Sequence, residues 1–201
     1  MSKFLGPIHF WLYNKINIQN NIVEDILNFS ETKGLNLREE LYGQYGDGEL
    51  KSLEEAIDVA NIHGWLQDQI NRVENKLAAA VTEILKADSG SMEQLKKIFY
   101  ENGVKSSTLN ADSTVEEAFK LISDTLLDGM PCDHAIGVIS QNENEAVWKR
   151  YECVHGRFWD VAGGDISVYY LLRDEFIKGL LEKANLSYEK VDETTGKISR
   201  R

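Results

Sequence analysis

The segment that decides the fold class spans residues 131–155 and reads PCDHAIGVISQNENEAVWKRYECVH. Two apolar stretches, 135–140 and 146–151, flank a run of Asn and Glu residues. Apolar runs separated by turn-forming residues are typical of two antiparallel strands joined by a tight turn. We therefore predict a β-hairpin that turns at Glu143 and Asn144, with a Cys-x-His pair continuing each strand at the open end of the hairpin.

Upstream of this hairpin, the apolar residues recur at the spacing of amphipathic helices. Pro7 suits the first turn of a helix, where its missing N–H is no loss. We expect that helix to reach about Ser30 and to end at Lys33 and Gly34. A second, short helix is expected over 37–45.

Three capping boxes predict three more helices. They pair Ser52 with Glu55, Ser91 with Gln94, and Ser113 with Glu116. The first box is expected to open the longest helix, which includes Val59 and reaches Leu85. The helix after the second box is expected to stop at Asn102 and Gly103.

Downstream of the hairpin, Asp165 is a plausible N-cap for a final helix over 166–184. A short strand is expected over 186–191, and the basic residues 197–201 are expected to form a solvated tail. The predicted class is therefore α+β and predominantly α: a helical bundle with a small antiparallel sheet. We expect one domain, 1–201, with a helical part (1–130), a hairpin and C-terminal helix (131–191) and a tail (192–201).

The composition restricts the classes of partner. The chain has 201 residues, 42% of them hydrophobic, a formal net charge of −11 and a pI of about 4.9. Such a charge repels phosphate backbones and anionic lipid surfaces, so neither nucleic acid nor a membrane is expected as a partner. No apolar run approaches the ~20 residues of a transmembrane helix. Two cysteines favour a reducing compartment, and we expect a cytoplasmic protein.

The two Cys-x-His pairs predict a metal site through the register of the hairpin. With the turn at 143–144, His134 would face Cys153, and Cys132 would face His155. Opposite residues share one face of a sheet, so all four donors would converge. Two Cys and two His are a common tetrahedral zinc environment, so zinc is the expected cofactor. A one-residue slip, for example from a bulge at Gly137, would separate the pairs.

Two other interpretations of the cysteines stay open. One takes them as buried structural thiols beside hydrogen-bonded histidines, and the other as partners in a reversible Cys132–Cys153 disulfide. In the catalytic interpretation, Cys132, His134, Cys153 and His155 form the reactive site. Asp133 is then a further ligand, a carboxylate that orients a histidine, or a general base.

An internal similarity links two of the predicted helices. Residues 8–12 read IHFWL and residues 62–66 read IHGWL, with a matching Ile-Asn four residues further on. Either the match is chance, or the two helices pack about a local pseudo-twofold axis. His9 and His63 are alternative ligands in the second case.

Aromatic residues and arginines are concentrated between residues 148 and 173. The candidates for a ligand pocket there are Trp148, Arg157, Trp159 and Tyr169, because aromatic rings stack on flat ligands and arginine binds anions. The alternative is a core between sheet and helix.

Three functions are compatible with these features. The first is a metal- or thiol-dependent enzyme that acts on a small molecule. The second is a non-catalytic sensor or carrier, and the third is a helical interaction protein with structural cysteines. The expected partners are a small-molecule ligand and, on assembly, further copies of the chain in a homo-oligomer.

Overall fold

The computed structural model describes residues 5–47 and 51–201. The predominantly α, α+β class with one small antiparallel sheet is confirmed. The chain forms two compact units, Met1–Ser91 with Arg157–Asp165 and Met92–Gly156 with Ile166–Arg201. The single-domain organisation stays a prediction. No helix in the described part of the chain combines the length and the apolar character that a membrane crossing requires.

The first unit is built from helices. They are α1 (Pro7–Thr32), α2 (Leu37–Tyr45), α3 (Leu53–Ala56) and α4 (Ile62–Ala87), followed by a 3-10 turn at Ser89–Ser91. Pro7 occupies the first turn of α1, and Lys33 caps its C-terminus. The predictions for α1 and α2 are therefore confirmed.

The longest predicted helix is in fact two helices, which corrects the expectation of one helix through Val59. Ser52 caps only the four-residue α3, because Ile57 adopts an extended conformation. The Asp58 carboxylate then accepts a hydrogen bond from the Ala60 N–H, which favours a turn. Asn61 starts α4 by accepting a hydrogen bond from the Gly64 N–H. Polar side chains that bond to the local backbone therefore interrupt the helical pattern.

Helices α1 and α4 pack in parallel, with equivalent positions side by side. Both have 26 residues. Three polar contacts join them or their C-terminal caps at nearly constant spacing along the chain: Gln19 to Glu74 (2.9 Å), Asn20 to Lys76 (3.1 Å) and Lys33 to Asp88 (2.9 Å). The repeated IHxWL segments therefore lie at the same end of the pair, and the two helices pack together, whereas the pseudo-twofold axis stays a prediction.

The second unit combines helices with the sheet. Its helices are α5 (Met92–Ser106), α6 (Val115–Thr125) and α8 (Ile166–Leu180), and its strands are β1 (Ile136–Gln141), β2 (Glu145–Arg150), β3 (Leu186–Lys190) and β4 (Thr195–Arg200). Helix α7 (Gly156–Ala162), which was not predicted, begins at the boundary between the units. The strands are antiparallel in the order β1-β2-β4-β3.

Three helix boundaries differ from their predicted positions, and one of them is the end of α8, which lies at Leu180 and not at residue 184. Helix α5 continues through Asn102 and Gly103, because the Asn102 side chain bonds to the carbonyl of Ile98 within the helix. The cap of α6 is Thr114, whose hydroxyl accepts a hydrogen bond from the Glu117 N–H. The predicted box at Ser113 and Glu116 is therefore one residue too early.

The residues predicted to form a solvated tail form a strand inside the sheet. Strand β4 pairs with both β2 and β3, and Ile198 is fully buried. Lys197 pairs with Glu189 across the strands, and its side chain is partly exposed. Successive side chains of a strand face opposite sides of the sheet, so a buried residue between polar neighbours is compatible with a strand. The expectation of a tail was wrong because it rested on charge alone.

The inner face of the sheet packs against aromatic side chains. The Trp148 ring lies 5.4 Å from the Phe119 ring and stacks on the Tyr188 ring at 6.0 Å. Gly196 lies directly against Trp148, since a Cβ atom there would come within 2.5 Å of the indole. This close approach forms the floor of the cleft described next.

Candidate functional site

The hairpin turns where the sequence predicts. The Asn142 N–H donates to the carbonyl of Glu145, so Glu143 and Asn144 form the two-residue turn. The Asn142 side chain also accepts hydrogen bonds from the N–H groups of Asn144 and Glu145. The turn is therefore fixed by its own asparagine.

The register changes within the hairpin, at a β-bulge. Ser140 pairs with Val147 as predicted, but Val138 pairs with Trp148, so Ile139 is the extra residue. A bulge places two residues of one strand opposite one residue of its partner and shifts every later pair. The predicted opposition of the two Cys-x-His pairs is therefore wrong, although the anticipated bulge lies at Ile139 and not at Gly137.

The strands also end before both Cys-x-His pairs. Cys132 lies in a 3-10 turn, Pro131–Asp133, and His134 has a left-handed backbone with a φ of 49°. Cys132, His134 and Cys153 are exposed, whereas His155 is buried. Among the residues that the structure describes, no group of three or more His, Cys, Asp and Glu side chains is arranged to hold a metal. The zinc site loses its geometric basis and stays a prediction.

His155 belongs to a buried electrostatic cluster. Its Nε2 lies 3.5 Å from Oδ1 of Asp128, and its ring packs 4.1 Å from the Tyr169 ring. Arg173 Nη2 donates to Oδ2 of Asp128 at 2.9 Å. Burial works to lower the pKa of Arg173, but the Asp128 carboxylate together with Tyr169, Tyr188 and Tyr170 outweighs it, and the pKa is raised. With 1% of its surface exposed, His155 is shielded from solvent.

Asp133 serves the local backbone. Its Oδ2 accepts a hydrogen bond from the Met130 N–H at 2.8 Å, and its Oδ1 is 4.0 Å from Cys132 Sγ. A carboxylate used in this way closes the turn that carries Cys132. The arrangement does not position Asp133 beside either histidine of the predicted site.

Cys153 is the cysteine with a defined chemical environment. The Tyr170 hydroxyl donates to Cys153 Sγ at 3.2 Å, and the Arg150 guanidinium lies 3.9 Å from the centre of the Tyr170 ring. Burial, and then the neighbouring thiol, raise the pKa of Tyr170. The tyrosine therefore keeps its proton and acts as a donor. The Arg150 guanidinium therefore contacts the Tyr170 ring, and the Tyr170 hydroxyl contacts the exposed Cys153 thiol.

A cleft opens beside these contacts, between α8 and the inner face of the sheet. Trp148 and Gly196 line it from the sheet, and Tyr170 lines it from α8. Its mouth is formed by Arg150 and the turn between β3 and β4. The predicted ligand-binding residue Trp148 is therefore in the cleft, whereas Tyr169 packs on His155.

Several charged side chains of the cleft are occupied by neighbours. Asp174 accepts a hydrogen bond from the Tyr188 hydroxyl at 2.7 Å and lies 3.5 Å from Lys190 Nζ. Burial, and then the Asp174 charge, raise the pKa of Tyr188. Asp192 accepts hydrogen bonds from the Thr194 backbone and hydroxyl, and the backbone bond is the main reason why its pKa is lowered to about 2.

Four predicted ligand-binding residues belong to the first unit. The His9 and His63 rings are 5.6 Å apart, and His9 Nδ1 accepts a hydrogen bond from the Gly6 N–H. In the neutral ring the proton is then on Nε2, which leaves no lone pair there for a metal. Arg157 donates to Asn71 at 3.1 Å, and Trp159 is 1% exposed. These contacts are those of a packed helical unit.

Arg150 and Tyr170 belong to the aromatic and arginine-rich stretch 148–173, but they are not among the four pocket residues selected from it. Neighbouring helical residues point about 100° apart, so only one of Tyr169 and Tyr170 can face the cleft. The sequence alone does not say which. Comparison of the chain with known proteins finds no matching family model, no matching curated protein and no matching solved structure.

Proposed function

We propose that this protein is a non-catalytic sensor or carrier that binds a small molecule in the cleft beside α8. The observation that carries the proposal is the Arg150 guanidinium stacked on Tyr170 at the mouth of a cleft floored by Trp148. Ligand sites combine apolar walls with a few fixed polar groups, and this cleft has both. Arg150 is held in place by the ring and by a hydrogen bond from Nη2 to the Glu193 carbonyl at 3.0 Å.

Calorimetry on the full chain tests this proposal. A library of small polar and aromatic compounds is titrated into the wild type and into Arg150→Gln. Lys149→Gln, the adjacent residue on the other face of β2, is the matched control. We expect a compound whose affinity falls at least about tenfold in Arg150→Gln and is unchanged in Lys149→Gln. If no compound binds, or if both variants bind alike, the cleft is not the site.

A thiol-dependent enzyme is the second candidate, and the Tyr170–Cys153 hydrogen bond favours it. A hydroxyl that donates to sulfur stabilises the thiolate, which is the reactive form of cysteine. In this version the cleft holds the substrate and Cys153 is the nucleophile. Turnover of a bound compound that disappears in Cys153→Ser, while binding persists, would support the enzyme over the carrier.

Zinc held by Cys132, His134, Cys153 and His155 remains the third possibility. Elemental analysis of the purified protein, with a UV–visible spectrum, separates metal, coloured ligand and neither. One equivalent of zinc that is lost in both Cys132→Ala and Cys153→Ala would support the site. Zinc retained by both variants would exclude these cysteines as ligands.

A reducing, cytoplasmic location and a homo-oligomeric state complete the proposal. Both cysteines are free and exposed, as is usual in a reducing compartment. Thiol alkylation in intact cells reports their redox state, and light scattering reports the mass of the assembly. Oxidised cysteines in cells, or a monomer at all concentrations, would contradict the respective part.

A further inference from the structure

The cleft carries both signs of charge in equal number. Its cationic side chains are Arg150, Arg173 and Lys190, and its anionic side chains are Asp174, Asp192 and Glu193. A simple anion in this cleft would meet three carboxylates, and a simple cation would meet three positive groups. The lining therefore favours neither sign alone.

Most of these charges are already matched. Arg173 is paired with Asp128, Lys190 lies beside Asp174, and the hydrogen bonds of its own turn occupy Asp192. Within residues 5–47 and 51–201, the charged groups of Arg150 and Glu193 are in no ion pair. The cleft thus has one cation and one anion left for a ligand.

These two groups are neighbours. Arg150 Nη2 donates to the backbone carbonyl of Glu193 at 3.0 Å, and both residues line the cleft. The guanidinium carbon lies 3.9 Å from the centre of the Tyr170 ring, and the remaining N–H groups of Arg150 form the fork that suits a carboxylate. A ligand that meets both groups needs its two charges only a few bonds apart.

We propose that the ligand is a small zwitterion, with one carboxylate for Arg150 and one ammonium for Glu193, of the size of a single amino acid. This inference rests on the proposed function, because it names the ligand class of the same cleft. The enclosed space of the cleft is about 20 Å³, roughly the room of one water molecule, so the ligand lies across the open mouth and not inside the cleft. Trp148, Tyr170 and Tyr188 supply the uncharged wall.

The test is an NMR titration of the full-length protein that follows the indole N–H of Trp148. The first probes are the twenty common amino acids at millimolar concentration. The best binder is then compared with its N-acetyl derivative, which lacks the ammonium, and with its amide, which lacks the carboxylate. We expect the amide to bind at least about tenfold more weakly and the N-acetyl derivative several-fold more weakly, because Glu193 is more exposed.

Two variants assign the charges to residues. In Arg150→Gln, we expect the amino acid and its amide to bind equally well. In Glu193→Gln, we expect the amino acid and its N-acetyl derivative to bind equally well. Glu143→Gln, in the hairpin turn and outside the cleft lining, is the matched control and keeps both preferences.

Three further probes distinguish the zwitterion inference from the proposed binding function. They are acetate (an anion), isobutylamine (a cation) and indole (neutral). If they bind in the cleft as tightly as the amino acids, the zwitterion inference is overturned and the binding function stands. If no probe perturbs Trp148, both are overturned.

Discussion

Gly103 of α5 and Gly179 of α8 lie at a crossing where the two helix backbones touch. A Cβ atom on Gly103 would come within 2.2 Å of the Phe176 carbonyl oxygen, and one on Gly179 within 2.1 Å of the Tyr100 carbonyl oxygen. The atoms in the way belong to the backbone and cannot rotate aside. Glycine is therefore required at both positions by close packing, although both backbones are helical.

Alanine at either glycine should separate the two helices. We expect Gly103→Ala and Gly179→Ala each to lower the free energy of unfolding by about 2–3 kcal/mol, as overpacking does. Gly43→Ala is the control, since Gly43 lies in α2 with nothing within 4 Å of its would-be Cβ. There alanine should raise stability by about 1 kcal/mol through its helix propensity. Urea unfolding measures all three, and equal effects at the three sites would contradict the packing argument.

The buried Asp128–Arg173 pair should be costly to break. Asp128→Asn removes the charge that offsets a guanidinium with 8% of its side chain exposed. Loss of one partner of a buried pair typically costs about 3–5 kcal/mol. Asp68→Asn breaks an exposed pair with Arg72 and should cost less than about 0.5 kcal/mol. Similar unfolding midpoints for the two variants would show that Asp128 is solvated.

The Tyr170 hydroxyl should control the reactivity of Cys153. In a Cys132→Ser background, which leaves one thiol, Tyr170→Phe should slow the reaction with a disulfide reagent several-fold near neutral pH. The reason is that the phenylalanine ring no longer donates a hydrogen bond to the thiolate. Tyr151→Phe alters an exposed tyrosine and should leave the rate unchanged. A rate in Tyr170→Phe equal to that of the parent would rule out the hydrogen bond in solution.

Asp192 should make the β3–β4 turn sensitive to acid. Hydrogen bonds from Thr194 and Thr195 lower its pKa from the ordinary 3.8 to about 2. Because the folded pKa is below the unfolded one, its stabilisation is complete above about pH 4 and is lost as the pH falls towards 2. A carboxyl titration by NMR should therefore give a midpoint near pH 2. In Asp192→Asn the loss of stability over this pH range should be smaller than in the wild type. An equal loss in both proteins would show that Asp192 does not cause it.

Local signals in the sequence predicted most of the fold. Pro7 and the Lys33 cap bound α1 as expected, and the asparagine-rich turn joins β1 to β2 at 143–144. These features depend on a few adjacent residues. The errors lie where tertiary packing determines the structure. The sequence predicts a helix end at Gly103, but Gly103 continues the helix and contacts α8. It also predicts a solvated tail that includes Ile198, but Ile198 is part of the core.

The candidate site was predicted only in part. Trp148, one of the predicted pocket residues, lines the cleft, and its role in binding stays a prediction. The Cys-x-His register failed through a single residue, Ile139, whose bulge no local pattern announces. Tyr170 and Glu193 come from different elements and meet Arg150 only in three dimensions. Such long-range contacts have no signature in one sequence.

The parallel packing of α1 and α4 has a consequence for the refolding chain. Positions 54 residues apart carry the same side chain at Ile8, His9, Trp11, Leu12, Ile16, Asn17 and Asn21 and their counterparts in α4. Helices α1 and α4 therefore present similar surfaces, and each packs against the other. Another molecule offers the same surface, so exchange of α1 between chains is a low-cost route to a swapped dimer. We therefore expect domain-swapped dimers when the chain refolds at high concentration.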